Sequence, residues 1–442
     1  MLLKSSHIFS WIVTMVTAAC IYSCAPIELD ITDHPHTSTP KYSAVRSQSL
    51  DYRNVFIIYS MGFNNLTGYL KEDIEDIANS DIPLNPRDII LVFIHRSNKS
   101  NYSEATSPML IQLSTDSEGM TSRDTVRIWD KGVIGADAAT MHEVLSYIKD
   151  NYVAGHYGIL LSSHGTGWAP KGYCINPDSY EGWSTGDWVA RGRKRAHKWF
   201  YGGNDSEPLV KGMGIHQTSS DTATEMDIDE IAGAFPMKMD YLIFDACLMG
   251  GVEVAYEFKD VTDMFIASQT EILADGMDYR TMTTYLLDRG TPDLKGFCEN
   301  YFNYYQSNKG LFQSATISMT DCRRLDDLAA VCKGIFERNR EGIAALEGSA
   351  DVQKYYRYDV HKWFYDLEDI VIRSGASKED IARLQDALEA AVRYKAHTEK
   401  FMSDIEIKTH CGLSMYLPYS NHTYLNSFYK TLEWNQATGL IK

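Results

Sequence analysis

Basic residues are in short supply. The chain sets 42 Lys and Arg against 59 Asp and Glu, a formal charge of −17 at neutral pH. That deficit argues against a nucleic-acid partner, because phosphate backbones draw basic patches. Cysteines are few and scattered. Of the eight, no two form a Cys-x-x-Cys pair, which argues against a zinc ribbon. Beyond the leader stand Cys174, Cys247, Cys298, Cys322, Cys332 and Cys411, too widely spaced for a disulfide scaffold. No loop has EF-hand spacing, so no metal site is expected. No internal repeat is present. After the N-terminus, no apolar run is long enough to cross a bilayer.

What the N-terminus does hold is an export signal. Lys4 precedes a mostly apolar stretch from Ile8 to Tyr22, too short for a comfortable span. Ile21-Tyr22-Ser23-Cys24 resembles a bacterial lipobox, in which Cys24 would be acylated after cleavage. Cys20, after Ala18-Ala19, is a weaker alternative, and a plain secretory signal competes with both. Residues 1–23 are therefore expected as a signal peptide and 24–50, rich in Ser, Thr, Pro and His, as a tether. The protein is expected outside the cytoplasm, held by lipid to a bacterial membrane on the periplasmic side or at the cell surface.

Strands and helices alternate from there. Asn54–Tyr59 reads as a strand buried on both faces, with Val55, Phe56, Ile57 and Ile58 as its apolar run. Leu66, Leu70, Ile74 and Ile77 mark one helical face. Asp88–Ile94 reads as a second strand and Ala138–Asp150 as an amphipathic helix. Ser97 to Arg127 is polar and reads as hairpins or an excursion. Further strands are expected to end at His164 and at Cys247, then at 263–268 and 314–319. The order implies a parallel sheet with right-handed crossovers. Residues 321–442 turn helical, around Leu325–Ile335 and Ile381–Ala391, with a late strand expected at Gly412–Leu417. Residues 51–320 and 321–442 are taken as main domain and C-terminal region.

Two of those strands stop at reactive side chains. Gly158 to Gly165 leads into an imidazole at His164, and Tyr241 to Leu248 holds a thiol at Cys247. Residues past the carboxyl ends of parallel strands gather on one rim of the sheet, where such proteins bind ligands. A thiol attacks as thiolate, and a neighbouring His can take its proton. Gly165 would let a backbone N–H approach a developing oxyanion, with the amide of Cys247 as second donor.

Ser163-His164-Gly165-x-Gly167-Trp168 resembles the histidine motif of the clostripain family of cysteine peptidases, and Asp245-Ala246-Cys247-Leu248-Met249-Gly250 resembles its cysteine motif. Asn64-Asn65-Leu66, Ala267–Glu271 leading into Asp275-Gly276-x-x-Tyr279, Asp366-Leu367 and Gly412–Pro418 are similar to further landmarks. The resemblance implies a caspase-like three-layer αβα sandwich with a mostly parallel central sheet, plus helical C-terminal additions. It implies His164 as acid/base, Cys247 as nucleophile, and Asp245 and Asp275 in a pocket for a basic P1 side chain of a protein or peptide substrate. Leu273-Ala274 and Met277 depart from the family's usual turn there. Members often cut themselves between the two motifs, where Arg191, Arg193, Lys194, Arg195 and Lys198 lie. The competing readings are a loop-capping carboxylate for Asp245, a solvated turn for Asp275 and an uncut charged loop for the basic cluster. Some members need calcium, but no defined calcium site or other cofactor is expected. The functional alternative is a catalytically silent surface binding protein on the same scaffold.

Overall fold

The run Val55-Phe56-Ile57-Ile58-Tyr59 is almost wholly removed from water, as a strand walled in by helices on both sides must be. It is the middle of β1 (Tyr52–Gly62) in a computed structural model of the chain. The structure describes residues 52–442 except 81, 83–84, 99–103, 116–119, 175–176, 183–209, 211–215, 218–222, 288–289 and 358–362.

The sheet continues with β2 (Asp88–Arg96), β3 (Met109–Thr115), β4 (Thr121–Ile128), β5 (Ala154–Ser162), β6 (Met239–Asp245), β7 (Thr262–Ala267), β8 (Thr316–Asp321) and β9 (Val392–His397). These nine strands run in the order β9-β8-β7-β6-β5-β1-β2-β3-β4. The five central strands, from β7 to β2, pair in parallel, and the pairs outside them on both flanks are antiparallel. This is an α/β fold with a mostly parallel central sheet and helices on both faces.

The register fixes which side chains share a face. Ser60, Ser162 and Asp245 are partners across β1, β5 and β6, so they point one way. Leu161 and Phe244, one residue earlier on their strands, point the other. On the Asp245 face lie α1 (Thr67–Ala78) and the Tyr-rich helix at Leu294–Gln306. On the Phe244 face lie α2 (Ala138–Asn151), the short helices Ile228–Gly233 and Val252–Glu257, and Phe258, whose ring meets Phe244 edge-on. The Asp137 side chain caps α2 by accepting the Thr140 N–H at 2.9 Å.

The structure departs from the expected elements in two places, at the ends of the motif strands and in the late strand. The two motif strands end at Ser162 and Asp245, two residues short of His164 and Cys247. The polar stretch after residue 97 forms the β3–β4 hairpin, one of the two forms expected of it. The late strand at 412–417 shrinks to Ser414–Met415, which pairs with Tyr365–Asp366. That segment runs through the core, with Leu413 to Leu417 fully buried, and the Ser414 N–H bonds to Gly250 carbonyl oxygen at 3.0 Å. It is apolar because it is buried, not because it joins the large sheet. The C-terminal strand that does join it is β9, at the edge.

Candidate active site

Ser162 and Asp245 are register partners on adjacent strands. Each chain continues two residues beyond the sheet, to His164 on one side and Cys247 on the other. The two sequence motifs therefore meet at one rim. Gly165 fits directly against the backbone of Cys247. A Cβ there would stand 2.3 Å from the Cys247 carbonyl oxygen and 3.1 Å from its nitrogen, so only glycine can occupy the position without displacing that backbone.

Cys247 is completely buried. Its sulfur accepts a hydrogen bond from the Ile272 N–H at 3.1 Å and faces the Ile272 carbonyl oxygen at 3.6 Å. A donor aimed at sulfur stabilises negative charge there. The next residue, Leu248, has a φ of 64°, a left-handed conformation that branched side chains avoid. Its N–H is held by the Thr270 carbonyl oxygen at 2.9 Å and its side chain is buried, so the surroundings impose the turn.

His164 Nε2 lies 2.6 Å from Asn65 Oδ1. An amide oxygen only accepts, so the imidazole donates from Nε2 and, when neutral, carries its lone pair on Nδ1. Asn65 follows β1 in a turn built by its neighbour. Asn64 Oδ1 accepts the Leu66 N–H at 2.9 Å while its Nδ2 donates to the Met61 carbonyl oxygen at 3.1 Å.

Asp245 is fully buried, and its Oδ2 accepts from Ser162 Oγ at 3.0 Å and from the Tyr279 hydroxyl at 2.7 Å. Tyr301 and Tyr305 stand close by. Burial first, and then nearby groups that include the Asp245 carboxylate, push both phenols well above their ordinary range. The Tyr301 hydroxyl is buried and makes no hydrogen bond among the described residues. Asp275 is exposed, and its charge adds to burial in raising Tyr69, Tyr304 and Tyr305. The two acids thus both act on one group of tyrosines, Asp245 from a buried position and Asp275 from an exposed one.

The other five thiols are also buried. Burial pushes Cys174, Cys298, Cys322, Cys332 and Cys411 upward, so they stay neutral and pack as small apolar groups. No disulfide links the six. Among the described residues, no group of three or more His, Cys, Asp or Glu is placed to hold a metal ion. Cys24 and the basic residues Arg191, Arg193, Lys194, Arg195 and Lys198 lie outside the described residues.

Three contributors carried no sequence signal of their own. Asn65 sits in a recognisable turn, but nothing in the turn says which Asn meets the imidazole. Ile272 acts through its backbone, which no side-chain pattern reports. Tyr301 is one of several aromatics on a helix and reads as core.

A thiol and an imidazole at the carboxyl rim of a mostly parallel αβα sheet, beside a buried acid, define the class: this is a cysteine peptidase. The model of the clostripain family matches residues 58–184 and 198–439, and the chain belongs to that family. Among solved structures, an inactive zymogen C11 protease from Parabacteroides distasonis is similar at 26% identity and a TM-score of 0.70, over 89% of this chain and 99% of that one. A secreted C11 cysteine protease from Bacteroides thetaiotaomicron, iotapain, shares the fold at 24% identity and a TM-score of 0.67, over 88% and 100%. A secreted C11 protease of the same organism, in complex with an irreversible peptide inhibitor, does so at 21% identity and a TM-score of 0.66, over 88% and 99%. No curated protein matches the chain.

Proposed function

We propose that this chain is an exported, lipid-anchored endopeptidase that cuts after Arg or Lys, with His164 as acid/base and Cys247 as nucleophile. The observation that carries the reading is the pairing of Ser162 with Asp245, which brings both motifs to one rim with Gly165 packed on the Cys247 backbone. In the reaction, His164 Nδ1 takes the thiol proton and sulfur attacks the scissile carbonyl. The N–H groups of Gly165 and Cys247 receive the oxyanion. The imidazolium then gives its proton to the leaving amine, and water, deprotonated by the same imidazole, hydrolyses the thioester.

The basic P1 preference rests on Asp245 and Asp275. A guanidinium or ammonium lowered among the tyrosines would meet the buried carboxylate at the far end. Storage as a zymogen, opened by self-cleavage near Arg191 to Lys198, is supported by the complete burial of Cys247 and by the likeness to a protease whose structure is an inactive zymogen. The anchor rests on Cys24. No helix among the described residues is long and apolar enough to cross a membrane.

The burial of Cys247 also favours the second reading, a silent surface binding protein. Hydrolysis of an Arg-linked fluorogenic peptide separates the two. Wild type, with and without added calcium and under reducing conditions, should turn it over, and Cys247→Ala should not. Equal activity in both, or none in either, would remove the peptidase assignment from these residues. On denaturing gels wild type should give two bands and Cys247→Ala one. Palmitate labelling should be lost in Cys24→Ala.

A further inference from the structure

Next to His164, on the face of the sheet opposite Asp245, lies a hollow of about 80 Å3. That is room for several water-sized groups. Much of its wall is apolar: Met61, Leu161, Phe244, Ile228, Ile231 and Met249. His164 and Thr166 form part of its rim, and Thr166, Met226 and Ile231 are only half-buried, so it opens to the outside. The alternation of the strands produces this arrangement. Asp245 and Ser162 point into the tyrosine cluster, whereas Phe244 and Leu161, their immediate neighbours, point into the apolar hollow.

We infer that this hollow is the subsite for the residue just after the scissile bond, and that it takes an apolar side chain of about the size of Leu or Met. The inference rests on the His164–Cys247 reading above, and follows from where the atoms must go. When the S–C bond forms and the C–N bond breaks, the acyl half stays on Cys247 with its basic side chain toward Asp245. The proton taken from the thiol passes through His164 to the departing nitrogen. That nitrogen must therefore lie within reach of the imidazole, and it carries the next residue to the His164 side of the site. The apolar hollow has His164 in its wall.

One carboxylate joins the polar part of the lining, which also holds Asn64, His95 and Ser163. Glu225 Oε2 accepts the Gly172 N–H at 2.7 Å, while its Oε1 is buried with no hydrogen-bond partner among the described residues. Burial, reinforced by Asp227, pushes this carboxyl up to about 7. An acidic side chain entering beside it would meet like charge and desolvation together, so the subsite excludes Asp and Glu.

The test is a set of internally quenched peptides with Arg at P1 and Gly, Leu or Asp after it. The Leu peptide should exceed the Gly peptide in kcat/KM by about ten-fold, and the Asp peptide should be the poorest. In Ile231→Asp, the Leu-to-Gly ratio should fall toward one. Ala136→Phe, which fills the hollow from its half-buried rim, should do the same if the first variant folds poorly. Glu225→Gln should narrow the gap between Asp and Gly. A wild-type ratio near one, or a ratio that survives both cavity variants, overturns the subsite while leaving the peptidase reading intact. No turnover of any of these peptides, with turnover of others differing at P1, overturns the basic-P1 reading and this inference with it.

Discussion

His164 Nε2 donates to Asn65 Oδ1 across 2.6 Å, and that contact determines which imidazole nitrogen can act as a base. Asn65→Ala should lower kcat about ten- to hundred-fold with little change in KM, because it frees the ring to turn while leaving the substrate pocket alone. Asn65→Asp keeps an acceptor in place and should recover most of the loss. Equal losses in both variants, or a loss carried in KM, would show that Asn65 only supports the turn.

Gly165 tolerates no side chain, since a Cβ would reach to 2.3 Å from the Cys247 carbonyl oxygen. Gly165→Ala should fold with a modestly lowered melting temperature and lose about a hundred-fold in kcat, as the two amide donors move apart. Steady-state kinetics with a melting curve will separate the two effects.

Asp245 accepts from Ser162 and Tyr279 and is proposed to receive a basic P1 side chain, and one substitution separates the two. Asp245→Asn keeps an acceptor for Ser162 and Tyr279 but removes the charge. Turnover of Arg and Lys substrates should drop roughly ten- to hundred-fold, with the melting temperature changed far less. Undiminished turnover would take Asp245 out of P1 recognition.

Arg357 and Glu271 form a buried pair, Nε to Oε2 at 2.8 Å, with side-chain exposures of 6% and 2%. Glu271 directly precedes Ile272, whose N–H reaches the Cys247 sulfur. Arg357→Ala leaves a buried, uncompensated charge and should cost about 3–5 kcal/mol in denaturant unfolding. It should also reduce the rate of alkylation of Cys247, which iodoacetamide kinetics will report.

Stability should fall as pH rises through neutrality. Glu253 is fully buried, accepting from the Tyr416 N–H at 2.7 Å and the Tyr429 hydroxyl at 2.8 Å, and burial pushes its carboxyl from 4.5 up to about 7. The folded state therefore binds a proton that the unfolded chain has already released. This contribution is full below about 4.5 and is lost as pH climbs through about 7, on the order of 3 kcal/mol. Glu257, pushed to about 8, acts in the same direction. Denaturant unfolding between pH 5 and 8 should show the decline, and Glu253→Gln should flatten it.

The parallel centre of the sheet was legible because buried strands are continuous apolar runs with reactive residues at their ends. Asn54–Tyr59 and Tyr241–Phe244 could hardly be anything else. The edge was not. β9 reads Val-Arg-Tyr-Lys-Ala-His, an alternation with its outer flank in water that blends into the helical pattern of Lys378–Ala391 before it. Gly412–Leu417 failed in the opposite sense, since an apolar run reports burial rather than partnership. At the rim, chemistry-bearing side chains announced themselves, whereas Asn65 and the Ile272 amide act through geometry that only the folded chain creates.

β5 and β6 are neighbours in the middle of the sheet, yet the stretch between the two motifs separates them along the chain. A backbone break there would not yield two separable proteins. One piece would own β1 to β5 and the other β6 to β9, zipped along the row from Gly158 opposite Tyr241 to Ser162 opposite Asp245. The nicked molecule would travel as a single particle under native conditions and part only in denaturant, with its imidazole on one polypeptide and its sulfur on the other.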